Sequence, residues 1–229
     1  MLRLDTPDGP ALEIAPARVI VAGFAGRDRA AVEAHIAELA EIGVPPPPSV
    51  PCFYRVSAGL VGTADRMQVL GGESSGEAEP VVIADAAGRL WLGVGSDHTD
   101  RKVEAWSIPV AKQACSKPIA PAVWPLDQVA ADWDRLELRA WATIDGRRSL
   151  YQEGALAELT PPEALIAAWN ADAGTGRAGL PPETVLFCGT VPVHGGIRPA
   201  AAFEFELRDP LRGRSLRHAY TVDSLPWVA

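Results

Sequence analysis

Residues 77–104, "EAEPVVIADAAGRLWLGVGSDHTDRKVE", decide how this chain is read. Two runs rich in β-branched and aromatic residues flank "DAAG", the pattern of a β-hairpin. Glu77 and Glu79 stand two apart at the start of the first strand, and alternate strand residues share a face. Both carboxylates therefore point the same way. A hairpin returns the end of its second strand to the start of its first, which brings Asp97 beside the pair. Three carboxylates this close repel one another unless a cation sits among them or one holds a proton. An oxygen-only trio suits Mg²⁺, Mn²⁺ or Ca²⁺ rather than zinc, with positions left for water or substrate. The competing reading is an exposed strand face followed by a solvated, charge-dense turn. On it His98, Asp100 and Lys102 point outward.

The 229 residues are 48% apolar and 22% charged, ordinary globular composition and enough chain for a substantial core. A formal charge of −8 argues against a nucleic-acid partner or an anionic membrane surface. It also means that an anionic substrate requires the few cations, or a metal, to be gathered locally. Cys52, Cys115 and Cys188 are odd in number and form no CxxC, which fits a reducing compartment and neither a disulfide framework nor a zinc ribbon. No apolar run approaches the ~20 residues that span a bilayer. The opening "MLRLDTPDGPALEIAP" has charges and prolines where a secretion signal needs an apolar stretch. A soluble, cytoplasmic protein is expected.

Outside the hairpin, "ARVIVAGFAG" reads as a buried strand and "DRAAVEAHIAELAEIG" as a helix, capped by Asp28 and closed at Gly43. "VPPPPSVP" is a stiff connector. These assign residues 1–50 to an N-terminal lobe or lid and residues 51–229 to the main domain. "RLELRAWATIDGRRSLYQEG" is a second hairpin turning at Asp145-Gly146, and "TPPEALIAAW" a helix with proline in its first turn. "ETVLFCG", "AAFEFELRD" and "RHAYTVDSL" are further short strands. Strands and helices do not alternate, so the expected class is a β-dominated α+β fold with a rolled or sandwiched sheet.

Five motifs, in order, carry a resemblance over roughly residues 50–220. Residues 50–83, "VPCFYRVSAGLVGTADRMQVLGGESSGEAEPVVI", resemble the "FxKPSSAxxGPGDxI" stretch and E-x-E strand of the fumarylacetoacetate hydrolase-like superfamily. This puts Ser57 on a serine of that stretch. "GSDHTDRKVE" is similar to "NDxSxRDxQ", with Asp97 on the third metal-ligand position and Arg101 on the arginine. "AKQACSKPIAPAVWPLDQV" resembles "GKSFDTxxPxGPWLV", Lys112 matching its lysine better than Lys117. "IDGRRSLYQEG" is similar to "NGexxQxG", and "LPPETVLFCGTVPVHGG" to "LxPGDvIxTGTPxGvG", with Gly189 and Thr190 on the glycine-threonine turn.

Departures are equally specific. Only 17 residues separate Glu79 from Asp97, where typical members insert a helix. Arg55 replaces a lysine and Glu104 a glutamine. The N-terminal "GxNYxxHxxE" acid-base motif aligns without gaps onto Arg29 and Val32, yet His35 and Glu38 restore its H-x-x-E spacing six residues on.

The resemblance implies a rolled mixed sheet of the superfamily's C-terminal-domain type, a homodimer, and Mg²⁺ or Mn²⁺ (Ca²⁺ as a variant) on Glu77, Glu79 and Asp97. It further implies a small 2-oxo acid or acylpyruvate, cleaved by hydrolase or lyase chemistry through a metal-stabilised enolate. Arg101, Ser57, Gly189 and Thr190 would bind the anionic substrate; Lys112, His35 and Glu38 would be catalytic. The alternative is a non-catalytic binding or regulatory module that keeps fold and metal site. A cysteine nucleophile, Cys115 or Cys188, has no dedicated base beside it in sequence.

Overall fold

The computed structural model describes residues 1–41 and 46–228, apart from the side chains of residues 35, 38, 39 and 41. The helix end expected at Gly43 lies outside them.

A six-stranded sheet runs, in spatial order, Trp124–Pro125, Leu90–Ser96, Ala78–Ala84, Thr184–Phe187, Arg18–Gly23, Cys52–Val56. Its neighbours are antiparallel except Thr184–Phe187 beside Arg18–Gly23. A five-stranded sheet runs Arg147–Ala155, Glu137–Ile144, Ala202–Asp209, Arg214–Leu225, Arg66–Leu70, with only the last pair parallel. The fold is therefore the β-dominated α+β class expected, built on mixed sheets.

Burial explains the two kinds of strand. Val82, Leu92, Val94 and Leu186 pack against Leu138, Ala140, Phe203, Phe205 and Tyr220 of the other sheet. On the opposite face Val19, Val21, Val81, Ile83, Val185 and Phe187 meet Leu2, Leu4 and Ile14 of the N-terminal hairpin. The six-stranded sheet is thus covered on both sides, which requires unbroken apolar runs such as "VVIA". Glu137–Ile144 instead alternates, with Leu138, Ala140 and Ala142 buried and the residues between them partly exposed. One face of its sheet meets water.

The "VIVA" run of Arg18–Gly23 can be buried on both faces only inside that sheet, between Thr184–Phe187 and Cys52–Val56. Residues 18–23, read from sequence as part of a lobe over residues 1–50, thereby share a sheet with the remainder. The helix Arg29–Glu41 follows directly. Asp28 caps it, its Oδ1 accepting from the amides of Ala30 at 2.9 Å and Ala31 at 3.2 Å. The second long helix, Pro162–Asp172, buries Leu165, Ile166 and Trp169. At the expected hairpin turn Asp145 and Gly146 both take positive φ, 51° and 72°, as a type I′ turn requires. Among the described residues no helix is long and apolar enough to cross a membrane.

Gly95 shows how tightly the sheet is covered near the carboxylates. It pairs with Glu79, and a Cβ there would lie 2.8 Å from Ile119, 2.9 Å from Phe187 and 2.9 Å from the Pro118 carbonyl. Two of these neighbours are buried apolar side chains and the third is backbone, so none yields easily. Gly95→Ala should destabilise the protein by about 1–3 kcal/mol. The expected reading is a lower urea midpoint with unchanged slope; an unshifted midpoint would show that the packing relaxes freely.

Candidate metal centre

The centre begins with one turn. Asp85 Oδ1 accepts from the amides of Ala87 and Arg89, both at 2.9 Å, and Oδ2 accepts from the Trp91 indole at 3.0 Å. Gly88 supplies the positive φ of 83°. These bonds hold the register in which Ala84 faces Leu90, Glu79 faces Gly95 and Ala78 faces Ser96. One step further the Asp97 amide donates to the Glu77 carbonyl at 2.9 Å. Glu77, Glu79 and Asp97 therefore converge, each offering an oxygen within 4.8 Å of the others.

Their electrostatic situations differ. Asp97 is fully buried. The Lys112 ammonium donates to its Oδ2, and Lys117 Nζ lies 3.2 Å from Oδ1. Burial opposes ionisation of Asp97, but Lys112 and then Lys117 outweigh it and hold the carboxyl below its usual range. Glu79 goes the other way. Burial first, and the Asp97 charge second, push it well above the usual range, although the Gly189 amide donates to its Oε2 at 2.8 Å. Glu77 is partly exposed, 3.2 Å from Arg101 and 3.8 Å from Lys112. Arg101 also donates to Ser75 Oγ and to Glu104, each at 2.7 Å.

Four carboxyls thus face three cations, Arg101, Lys112 and Lys117. Burial lowers the Lys117 pKa, while Asp97 and three carbonyl acceptors favour its ammonium form; with Lys117 charged, the cluster is neutral while Glu79 keeps its proton. It carries one net positive charge once a divalent ion replaces that proton.

Whether the residues suit such an ion can be tested on the buried polar atoms. Asp97 Oδ1 is buried with Lys117 Nζ 3.2 Å away as an ion-pair partner but no aligned hydrogen-bond donor among the described residues, so it keeps lone-pair capacity that a metal ion could use. The three carboxylate oxygens lie within 4.8 Å of one another, close enough for one ion to be shared among them. The donors are all hard oxygens. They fit Mg²⁺ or a similar divalent ion.

Around the trio, Lys112 comes from the short helix Ile108–Gln113 and is nearly buried, its charge held by Asp97 and Glu77 against the opposing effect of burial. Lys117, the weaker match in sequence, is fully buried and donates to the carbonyls of His98 at 2.7 Å, Cys115 at 3.0 Å and Lys112. Thr190 Oγ1 donates to the Ala78 carbonyl at 2.7 Å and accepts from Gln152 Nε2 at 2.7 Å. Gln152 Oε1 in turn accepts from the Ala78 amide at 2.9 Å. Gly189 and Thr190 thereby hold the strand that carries Glu79. Gly189 has φ +92°, and a Cβ there would sit 2.8 Å from Ala25 Cβ, so glycine is required. Ser57 is exposed, its amide donating to Gln113 Oε1 at 2.8 Å. His35 and Glu38 stand on the helix Arg29–Glu41, with side chains outside the described residues.

Two expectations need correction. His98 does not point outward: it is fully buried, Nδ1 2.7 Å from Tyr220 Oη and Nε2 2.9 Å from Ser74 Oγ. Burial first, then the charges of Lys117 and Arg101, depress it to about 3, so the ring is neutral. Strand periodicity is the reason: His98 is two residues beyond Ser96 and keeps to its face. Asp100 is also buried, because its Oδ1 caps Arg101–Glu104 by accepting from the amides of Lys102 and Val103.

A family model described as "Protein of unknown function (DUF2848)" matches residues 22–220. The chain belongs to that family. No curated protein matches it in sequence. In structure this DUF2848 chain is similar to Cg1458, at 15% identity and a TM-score of 0.62 over 93% of this chain and 78% of that one. It is likewise similar to 2-keto-3-deoxyarabinonate dehydratase, at 16% identity and a TM-score of 0.64 over 93% and 76%. A further match is that dehydratase complexed with magnesium and 2,5-dioxopentanoate, at 15% identity and a TM-score of 0.60 over 92% and 74%. Identities this low establish a shared fold.

All three cysteines are buried and free, and burial pushes Cys115 up to about 11. A thiol-reactive disulfide reagent at pH 8 should therefore leave the native DUF2848 chain essentially unmodified and titrate all three thiols only after denaturation. One fast-reacting native thiol would restore a cysteine nucleophile to consideration.

Proposed function

We propose that this chain is a divalent-metal-dependent enzyme of the fumarylacetoacetate hydrolase-like superfamily, acting on a small 2-oxo acid or acylpyruvate. The observation that carries the reading is the convergence of Glu77, Glu79 and Asp97 with Arg101 and Lys112 around them. The fold match lends support: one similar structure is a dehydratase holding magnesium and 2,5-dioxopentanoate, itself a 2-oxo acid.

In this reading Glu77, Glu79 and Asp97 hold Mg²⁺ or Mn²⁺. The ion supplies Lewis-acid stabilisation of the charge that develops on an enolate. Arg101 is the counter-charge for the substrate carboxylate. Its Nη2 faces Glu77 Oε1 at 3.2 Å without an aligned hydrogen bond, so that contact is loose enough to be shared with a substrate carboxylate. Lys112 is held as an ammonium, so its role is to carry a proton and donate it, not to act as a resting base. Gly189 and Thr190 form the wall that keeps Glu79 in place, and Ser57 contributes at the rim. His35 and Glu38 are the proposed acid-base pair, brought by the helix that leaves the sheet after Gly23. With that pair engaged, water activation and C–C hydrolysis follow. Without it, decarboxylation is favoured over hydrolysis, because CO₂ leaves with no activated water and the electron pair left behind is held by enolate stabilisation alone. A homodimer belongs to the same proposal, with exposed Leu70, Trp106 and Trp227 as apolar side chains available for burial.

Titration with Mn²⁺ tests the centre. The wild-type protein should bind, and Glu77→Gln, which changes the least buried ligand, should weaken binding about 100-fold while the fold is retained. A wild-type protein that binds no divalent ion would end the proposal. With Mg²⁺ or Mn²⁺ present, a panel of 2-oxo acids and acylpyruvates should yield a substrate. Tight oxalate binding with no turnover would instead mark a non-catalytic module.

The pH dependence has a definite sign. Glu79 holds its proton above the usual carboxylate range and must release it to bind the ion. Affinity should therefore rise with pH, up to about tenfold per unit below the Glu79 pKa, with proton release on binding. A pH-independent affinity would show that Glu79 is not a ligand.

A further inference from the structure

Behind the carboxylates, on the opposite face of the hairpin, lies a buried polar chain that plays no part in the chemistry above. Ser96 and His98 are two residues apart and flank Asp97, so they face the five-stranded sheet while Asp97 faces the site. From that sheet Tyr220 reaches across. Its hydroxyl lies 2.9 Å from Ser96 Oγ and 2.7 Å from His98 Nδ1. His98 Nε2 is 2.9 Å from Ser74 Oγ, so each ring nitrogen has a hydroxyl partner and either tautomer is satisfied. Ser74, Ser96, His98 and Tyr220 are all buried.

Each end of this chain touches a metal-ligand residue. Ser96 Oγ accepts from the Glu77 amide at 3.2 Å. The His98 carbonyl accepts from Lys117 Nζ at 2.7 Å, and the same ammonium lies 3.2 Å from Asp97 Oδ1. The Tyr220 ring is itself wedged among aromatics, with Phe203 at 5.9 Å, Phe205 at 6.4 Å and the His98 ring edge-on at 5.6 Å. A rigid aromatic strut from one sheet thus ends in a single oxygen that bonds two side chains at the end of the second hairpin strand, one of which, Ser96, also holds the Glu77 amide of the first.

We infer that Tyr220 and His98 are positioning residues of the metal centre, setting the spacing of Glu77 and Asp97 from the far sheet through Ser96 and Lys117. The inference rests on the metal-centre reading above. Packing alone does not account for the arrangement. A phenylalanine would fill the Tyr220 site equally well, but it would leave His98 Nδ1 without its hydroxyl partner and Ser96 Oγ with the Glu77 amide alone. Groups that orient metal ligands from behind typically change metal affinity 10–100-fold when removed.

The test is Mn²⁺ binding by calorimetry, together with thermal melts, on the wild-type protein, Tyr220→Phe, Ser96→Ala and the double variant. Tyr220→Phe keeps the ring and should weaken Mn²⁺ binding about tenfold. Ser96→Ala should weaken it in the same direction. The double variant should lose less than the two single losses combined, because both interrupt one chain. Mn²⁺ affinity within about twofold of wild type in a folded Tyr220→Phe protein, whatever its melting temperature, would overturn the inference and reduce the chain to core packing. Should Tyr220→Phe fail to fold, Ser96→Ala decides by the same criterion. A wild-type protein that does not bind Mn²⁺ would instead overturn the metal-centre reading, and this inference with it.

Discussion

Asp97 is a fully buried carboxylate with an ammonium group at each oxygen, Lys112 at Oδ2 and Lys117 at Oδ1. Desolvating three charges costs several kcal/mol per ion, and a well-packed apolar trio is often at least as stable. The arrangement is therefore poor evidence for stability and better evidence for a task. It also constrains its surroundings. Lys117 needs three carbonyls turned towards it, from His98, Lys112 and Cys115, and this bends residues 112–117 around the site. Lys112 in turn requires the helix Ile108–Gln113 to lie against the hairpin. Loss of the Asp97 charge would leave the Lys117 ammonium buried without its carboxylate and Lys112 with Glu77 at 3.8 Å.

The location of the centre follows from how the sheet is covered. Along Ala78–Ala84 every residue is buried, and on the face of Val81 and Ile83 the next positions outward are Glu79 and Glu77. Apolar side chains give way to carboxylates where the strand leaves the core. The antiparallel register brings the end of Leu90–Ser96 to the same edge, and the last residues of Thr184–Phe187 arrive there with Gly189 beyond them. Arg18–Gly23 runs parallel to Thr184–Phe187, so it too ends at this edge, where the helix Arg29–Glu41 departs. Polar groups at this rim are held by backbone donors that the strand ends leave unpaired, as the Gly189 amide does for Glu79.

How much of this is legible in sequence depends on chain separation. The carboxylate trio is legible because one tight turn, set by Asp85 and Gly88, determines every pairing up to residues 77 and 97. The sheet class is legible because burial on two faces or one leaves different patterns, as "VVIA" and "LRAWAT" show. Tyr220 is not legible. It meets His98 across 122 positions, and nothing local in "RHAYTVDSL" distinguishes it from an ordinary core tyrosine. His98 is an intermediate case: charge-dense neighbours favour a turn, yet its spacing from Ser96, Val94 and Leu92 already places it on the inter-sheet face. Lys117 looks like the lesser of two lysines in a motif, because no spacing rule shows that both oxygens of Asp97 would each need a cation.

The charge balance links this local chemistry to the acidity of the whole chain. A protein with a formal charge of −8 repels small anions on average. Within the cluster the four carboxyls and three cations cancel while Glu79 is protonated, so the metal-free site has no net attraction for a carboxylate either. Under the proposed function a divalent ion changes that sign: it displaces the Glu79 proton, leaves one net positive charge in a largely desolvated rim, and frees Arg101 and Lys112 from serving only their own carboxylates. On that reading anion binding is contingent on the metal, because the three carboxylates that cancel the cations of the metal-free cluster become the ion's ligands in the loaded one.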